Sequence, residues 1–157
     1  AKETGAGFAA EEAKLLAEVG VKGIDIAGAG GTSWAAVEFY RARTNRARER
    51  LGRVFWDWGI PTAISTVEVS QTTQLKVITS GGIRTGINAA KCICLGANVV
   101  GIASPFLKTA ERDLKTGGEP KDSIKLIKTL IDELKITMLL TGSEKISDLN
   151  VDKIEPF

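Results

Sequence analysis

The stretch from Val77 to Ser104, VITSGGIRTGINAAKCICLGANVVGIAS, passes from strand to helix and back to strand with almost nothing between them. Val77 and Ile78 are β-branched and flanked by Leu75 and Thr79, so 75–80 reads as a short buried strand. Over 84–96, Ile87, Ala90 and Cys94 recur at helical spacing, followed by Ala97, and 98–104 reads as the next strand. Two strands joined through a helix of this length are parallel neighbours, which commits the chain to an α/β fold.

The same alternation extends in both directions. Between Phe8 and Val19, Ala13, Leu16 and Ala17 lie opposite Glu11, Glu12, Lys14 and Glu18, a surface helix stopped at Gly20. A strand is predicted over 21–28, then a loop feeding a helix from about Thr32, an irregular arginine-rich and aromatic stretch, and a helix over 62–74. Ile124, Ile127, Ile131, Leu134 and Met138 mark a last helix, with Asp122 or Ser123 as its cap, and 143–157 reads as a polar surface tail distinct from the body at 1–142. Three strands and four or five helices make an uncomfortable sheet by themselves, and KETGAG, near the start, resembles the tail of another strand with its loop. Strand ends carrying small or hydroxylic residues before tight loops are the hallmark of the active face of a (β/α)8 barrel, which takes about 250 residues. The expectation is the C-terminal half of a (β/α)8 TIM barrel, strands five or six to eight with their helices, the preceding half having been removed by cleavage or design.

Composition narrows the chemistry. The 157 residues are 43% hydrophobic and 25% charged with a net charge of +2, a globular composition with no global basic field for nucleic acid. Apolar runs are too short to span a bilayer, and a cytoplasmic protein is expected. There is no histidine, which removes Ser-His and Cys-His nucleophilic schemes and imidazole zinc sites. Cys92 and Cys94, two apart on a helix, point about 200° from each other and read as core thiols rather than a metal or disulfide pair.

The glycine turn asks for an anion. Gly81 and Gly82 let backbone amides approach a ligand, the following helix offers free N–H groups and its dipole, and Arg84 adds a fork that matches phosphate oxygens. The turn fits neither the Walker A nor the GxGxxG pattern. A glycine-rich connection with a solvated arginine is the plainer reading.

KETGAG, IDIAGAGGTSWAAVE, FWDWGIPT, SGGIRTGINAAKCICLGAN and VGIASPFL together resemble the C-terminal half of the type 2 isopentenyl diphosphate isomerases, in order from Lys2 to about Leu107. That family interconverts isopentenyl and dimethylallyl diphosphate on reduced FMN, with NADPH or NADH as reductant and Mg2+ on the substrate diphosphate. Reduced flavin itself is thought to carry the proton, which suits a chain without imidazole. The resemblance implies that Gly82, Ile83 and Arg84 hold the FMN phosphate with Ala103 and Ser104 at the end of the last strand. It also places Lys2 at the end of strand five beside the flavin pyrimidine ring, and has Thr32 donate its hydroxyl to the cofactor with Gly30 and Gly31 giving access. Ala27 stands where many relatives have serine. The substrate-diphosphate contacts, a glutamine and the magnesium-binding glutamate belong to the N-terminal half, so that half is the implied partner, together with further copies in a homo-oligomer, and no catalytic residue falls in this chain.

Plainer roles stand beside these. Lys2 also reads as a frayed terminal lysine, Thr32 as a helix N-cap and Ser104 as a loop serine. Arg41, Arg43, Arg46, Arg48, Arg50 and Arg53, with Phe55, Trp56 and Trp58, resemble a nucleic-acid patch, but a solvated loop ordering over the site or against another subunit fits the near-neutral chain better. Of other phosphate or flavin barrels, α-hydroxy-acid oxidases place a base histidine where this chain has Ala29, and inosine monophosphate dehydrogenase uses a loop cysteine, whereas both cysteines here lie inside a helix. A non-catalytic, phosphate-binding or self-associating half-barrel is the alternative of a different class.

Overall fold

The computed structural model describes residues 1–42 and 44–155. Three parallel strands, β1 (Gly23–Asp25), β2 (Lys76–Thr79) and β3 (Val99–Val100), lie side by side in sequence order. A fourth segment extends the sheet. Lys2 bridges Asp25 in parallel, Asp25 N–H donates to the Ala1 carbonyl at 2.9 Å, and Glu3 N–H donates to the Asp25 carbonyl at 3.1 Å. Four consecutive parallel strands, each followed by helix, are the layout of one side of a (β/α)8 barrel.

Ladder bonds outlast the regular strands. Ile26 N–H reaches the Ile78 carbonyl at 2.9 Å, Gly28 N–H reaches Ser80 at 3.0 Å, and Gly101 N–H reaches Thr79 at 2.8 Å. Pairing thus reaches the predicted ends at Gly28 and Ser80, whereas the third strand, expected over 98–104, pairs only as far as Gly101.

The helices are α1 (Ala10–Glu18), α2 (Trp34–Arg41), α3 (Arg46–Val54), α4 (Thr62–Thr72), α5 (Gly86–Cys94), α6 (Ser104–Lys115) and α7 (Lys121–Leu140); α4 and α5 pack on the strands, α1 on α4, and α2 on α3. Ile24, Ile26 and Val77 turn outwards to Ala13 of α1 and Val69 of α4, and these five form the best-buried cluster. Strand alternation consequently turns Asp25, Ile78 and Ser80 to the opposite, barrel-interior face. Cys92 packs with Ile83 and Ala97, and Cys94 with Ala90 and Leu149. Burial pushes the Cys92 thiol up to about 11 and also raises that of Cys94, so both are neutral core groups, as expected from their spacing.

Three local expectations give way to the structure. The arginine-rich stretch is not irregular: Asn45 caps α3 by accepting from Arg48 N–H at 3.1 Å, and α3 crosses α2 so closely that a Cβ on Gly52 would lie 2.7 Å from the Ala35 carbonyl. Its periodicity is hidden because the helix docks through glycine rather than through an apolar stripe. Arg43, a member of the same arginine set, lies outside the described residues. The second revision is α6, a helix beginning at Ser104 with Pro105 in its first turn, where proline costs no hydrogen bond. Third, the last helix begins at Lys121 and is not capped by Asp122 or Ser123. Asp113 of α6 accepts from the amides of Asp122 (2.7 Å) and Ser123 (3.0 Å) and from the Ser123 hydroxyl (2.6 Å).

The Ser123 hydroxyl above all, against a burial cost and helped by the two amides, holds the Asp113 carboxyl below its usual 3.8. A depressed folded value means that the cap stabilises the fold above the unfolded pKa near 3.8 and is lost as pH falls through the folded value. Unfolding followed between pH 7 and pH 2 should show Asp113→Asn less stable than the parent at neutral pH, with the gap closing in acid. A gap that persists unchanged in acid would assign the loss to packing.

Residues 143–155 form two short 3-10 turns, Ile146–Asp148 and Val151–Lys153, and bury Leu149 against α5. No helix among the described residues is long and apolar enough to cross a membrane.

Candidate functional site

At the C-terminal ends of the strands, the loops after β1 and β2 interlock glycine against glycine. Gly81 and Gly82 have φ of +104° and +80°, the left-handed region that excludes most side chains. A Cβ on Gly82 would collide with the Gly30 carbonyl, one on Gly81 with the Gly28 carbonyl, and one on Gly31 would lie 3.1 Å from Gly82 N. The glycines are thus required first by loop-to-loop packing, a reason not visible in the sequence.

Beneath them, α4 supplies a buried hydroxyl stack. Thr62 donates to the Gly81 carbonyl at 2.8 Å, and Thr66 bonds the Thr62 carbonyl at 2.7 Å and the Thr79 hydroxyl at 2.9 Å. Sequence reasoning missed these threonines. Their one signal is a run of hydroxyls in an otherwise core-facing helix.

The result is a cleft of about 250 Å3 lined by Lys2, Gly31, Thr32, Gly82, Ile83, Arg84, Ala103 and Ser104, while Gly30 lines the adjoining hollow instead. Five amides that line it, those of Gly81, Gly82, Ile83, Ala103 and Ser104, donate to no group among the described residues. Two clusters of unpaired donors, one after β2 and one at the start of α6, form a nest suited to an anion. Arg84 stands beside it, exposed, with Nη1 bonded to the Gly82 carbonyl at 2.8 Å and its other guanidinium donors unpaired among the described residues.

Some assignments shift. The start of α5 is not free: Thr85 accepts from Asn88 N–H at 3.1 Å, Glu133 accepts from Gly86 N–H at 2.5 Å, and Asn88 accepts from Arg84 N–H at 3.3 Å. The open helix end is that of α6, and Ser104 is its first residue rather than the last residue of β3. Thr32 is not the N-cap of α2. Ser33 accepts from Ala36 N–H at 3.1 Å instead, leaving the Thr32 side chain exposed at the cleft. Ala27 sits in the floor with φ of +38°, a strained position for a residue with a Cβ.

Lys2 is not frayed. Its ammonium meets Asp25 Oδ2 at 2.6 Å, and the other Asp25 oxygen accepts from the Ser80 hydroxyl. Glu3 is equally tied, accepting from the amides of Gly5, Ala6 and Gly7. Burial raises the Glu3 carboxyl, but the bonds from these amides and from Thr4 outweigh it and hold it below its ordinary value, so the loop after the first strand is wound around a carboxylate.

An adjoining hollow of about 790 Å3 lies between the loops after the first strand and β1 and the aromatic segment Phe55, Trp56 and Trp58. Trp34 closes one side, its indole N–H donating to the Thr4 carbonyl at 2.8 Å.

Parallel strands each followed by helix, with a cleft at their C-terminal ends, define the class: part of a (β/α)8-barrel protein. The chain belongs to the FMN-dependent dehydrogenase family, whose sequence pattern matches residues 8–156. It is 53% identical to the isopentenyl-diphosphate delta-isomerase of Methanothermobacter thermautotrophicus over 94% of its length, and 48% identical to that of Pyrococcus furiosus over 95%. It spans 40% and 36% of those relatives. Among solved structures it resembles a flavocytochrome b2 double mutant with pyruvate bound (TM-score 0.66, 25% identity, covering 98% of this chain and 33% of that one). It also resembles the GMP reductase of Trypanosoma brucei (TM-score 0.64, 23% identity, covering 91% and 30%).

Proposed function

We propose that this chain forms the FMN-phosphate site of an isopentenyl-diphosphate isomerase, acting in the interconversion of isopentenyl and dimethylallyl diphosphate. The convergence of five unpaired amides and Arg84 at the ends of β2 and β3 carries this reading. It fits the group chemically, because a phosphate monoester offers the acceptor oxygens that such a nest and a guanidinium fork require. The amides of Gly81, Gly82, Ile83, Ala103 and Ser104 and the Arg84 side chain hold the phosphate. Thr32 gives a hydroxyl to the cofactor, and Lys2 brings positive charge to the flavin end of the cleft. When bound, FMN would supply the proton-transfer chemistry of the isomerisation. For the chain itself the task is to bind and orient.

The similarity to isopentenyl-diphosphate isomerases supports this reading over that of another FMN-dependent barrel oxidoreductase. Ala29 occupies the place where the hydroxy-acid oxidase reading needs a base. Substrate-diphosphate contacts, Mg2+ and reduction by NADPH or NADH fall on this reading to the N-terminal half of the barrel, within a cytoplasmic homo-oligomer.

Fusing the N-terminal segment of the Methanothermobacter isomerase to this chain tests the proposal. With FMN, NADPH and Mg2+ the fusion should convert isopentenyl diphosphate, and each part by itself should be at least about 1000-fold slower. A soluble fusion that holds FMN yet leaves isopentenyl diphosphate unchanged contradicts the isomerase assignment.

A further inference from the structure

The ion pair under the cleft has a geometry that a surface salt bridge lacks. Lys2 and Ser80 line the cleft, whereas Asp25, between them on β1, does not and is 18% exposed. From below the floor its two oxygens divide their partners, Oδ2 taking the Lys2 ammonium at 2.6 Å and Oδ1 the Ser80 hydroxyl. Lys2 remains 59% exposed. Its strand lies two places from β2 and three from β3, whose ends carry the phosphate nest, so Lys2 stands about 10 to 15 Å across the sheet from it. Apart from Arg84 beside the nest, Lys2 is the one cation lining the cleft among the described residues.

We infer that Asp25 is a positioning residue that holds the Lys2 ammonium down against the floor and limits the positive charge delivered to a ligand at that end of the cleft. This rests on the FMN reading. Charge near a flavin acts differently on its two redox states, because a cation favours the more negative reduced form. Lys2 therefore raises reduced-state affinity, and Asp25 opposes it through Lys2. Ser80 fixes the carboxylate so that it cannot follow the ammonium upwards.

The test is titration of the fusion with the Methanothermobacter N-terminal segment, using oxidised FMN and FMN reduced by dithionite, and the readout is the ratio of the two affinities. Asp25→Asn keeps the shape and removes the charge, its carbonyl accepting from Lys2 and its NH2 donating to a reoriented Ser80 hydroxyl. It should raise the ratio in favour of reduced FMN about tenfold, a shift of about +30 mV for a two-electron couple. Lys2→Met should lower it, and in the Lys2→Met background Asp25→Asn should change it less than about twofold. Asp25→Ala gives the same direction should the asparagine variant fold poorly. An unchanged or lowered ratio in both Asp25 variants overturns the inference, as does an equal rise without Lys2, which would make Asp25 a direct electrostatic partner. If the unaltered fusion binds FMN in neither state, the FMN reading falls and the inference with it. Binding with an unmoved ratio removes only the inference.

Discussion

Gly82→Val should reduce FMN affinity by about 100-fold or more and lower fold stability by about 2–6 kcal/mol. The two losses have one origin. A φ of +80° costs a β-branched residue about 1–3 kcal/mol, and its Cβ would enter the Gly30 carbonyl, backbone that cannot swing aside, for a further 1–3 kcal/mol of overpacking. Relief requires the loops after β1 and β2 to part, which opens the nest. Gly117→Ala is the control, since its φ of +113° is equally left-handed but nothing lies within 4 Å. It should cost about 1–3 kcal/mol and leave FMN affinity unchanged. Gly82→Val with parental affinity would place the phosphate elsewhere.

Expressed alone, the chain should self-associate. Residues 1–3 pair on one side only, with β1, and β3 pairs on one side only, with β2, leaving two parallel edges open among the described residues. Val99 on β3 is 54% exposed, and Leu15 beside an apolar groove of about 820 Å3 is 62% exposed. Open edges with exposed apolar neighbours favour pairing with further chains. Sedimentation velocity should show mass rising with concentration, and fusion to the N-terminal segment of the Methanothermobacter relative should collapse it to one species. A strict monomer across that range would show that the edges are covered within the chain.

The barrel was legible because strand-like and helical runs alternate at 21–28, 62–74, 75–80 and 84–96, and because these strand ends are punctuated by glycine or hydroxyl residues. The cleft was legible through the same punctuation. Helix α3 was not, because it docks on α2 through Gly52 and shows solvent mostly arginine, so no apolar stripe announces it. The Asp113 cap escaped because it is supplied from α6, an element away from the helix it caps, and such caps leave no local signature. Asp25 escaped for a similar reason. A lone aspartate inside an apolar strand gains meaning only when Lys2 and Ser80, 23 and 55 residues distant, are brought to its two oxygens. The need for glycine at 82 was readable, but its main cause, the backbone of Gly30, became visible only in three dimensions.

The most direct measurement compares FMN with riboflavin, which lacks the phosphate, by fluorescence titration of the fusion with the Methanothermobacter N-terminal segment. The amide nest and Arg84 predict FMN tighter by at least about 30-fold, since charge-assisted hydrogen bonds contribute about 1.5–3 kcal/mol each. Arg84→Ala should remove about 10-fold or more of that difference, and Ser104→Ala, which spares the backbone amide, less than about 10-fold. Equal affinities for FMN and riboflavin, or a difference that survives Arg84→Ala intact, would contradict a phosphate held at the ends of β2 and β3.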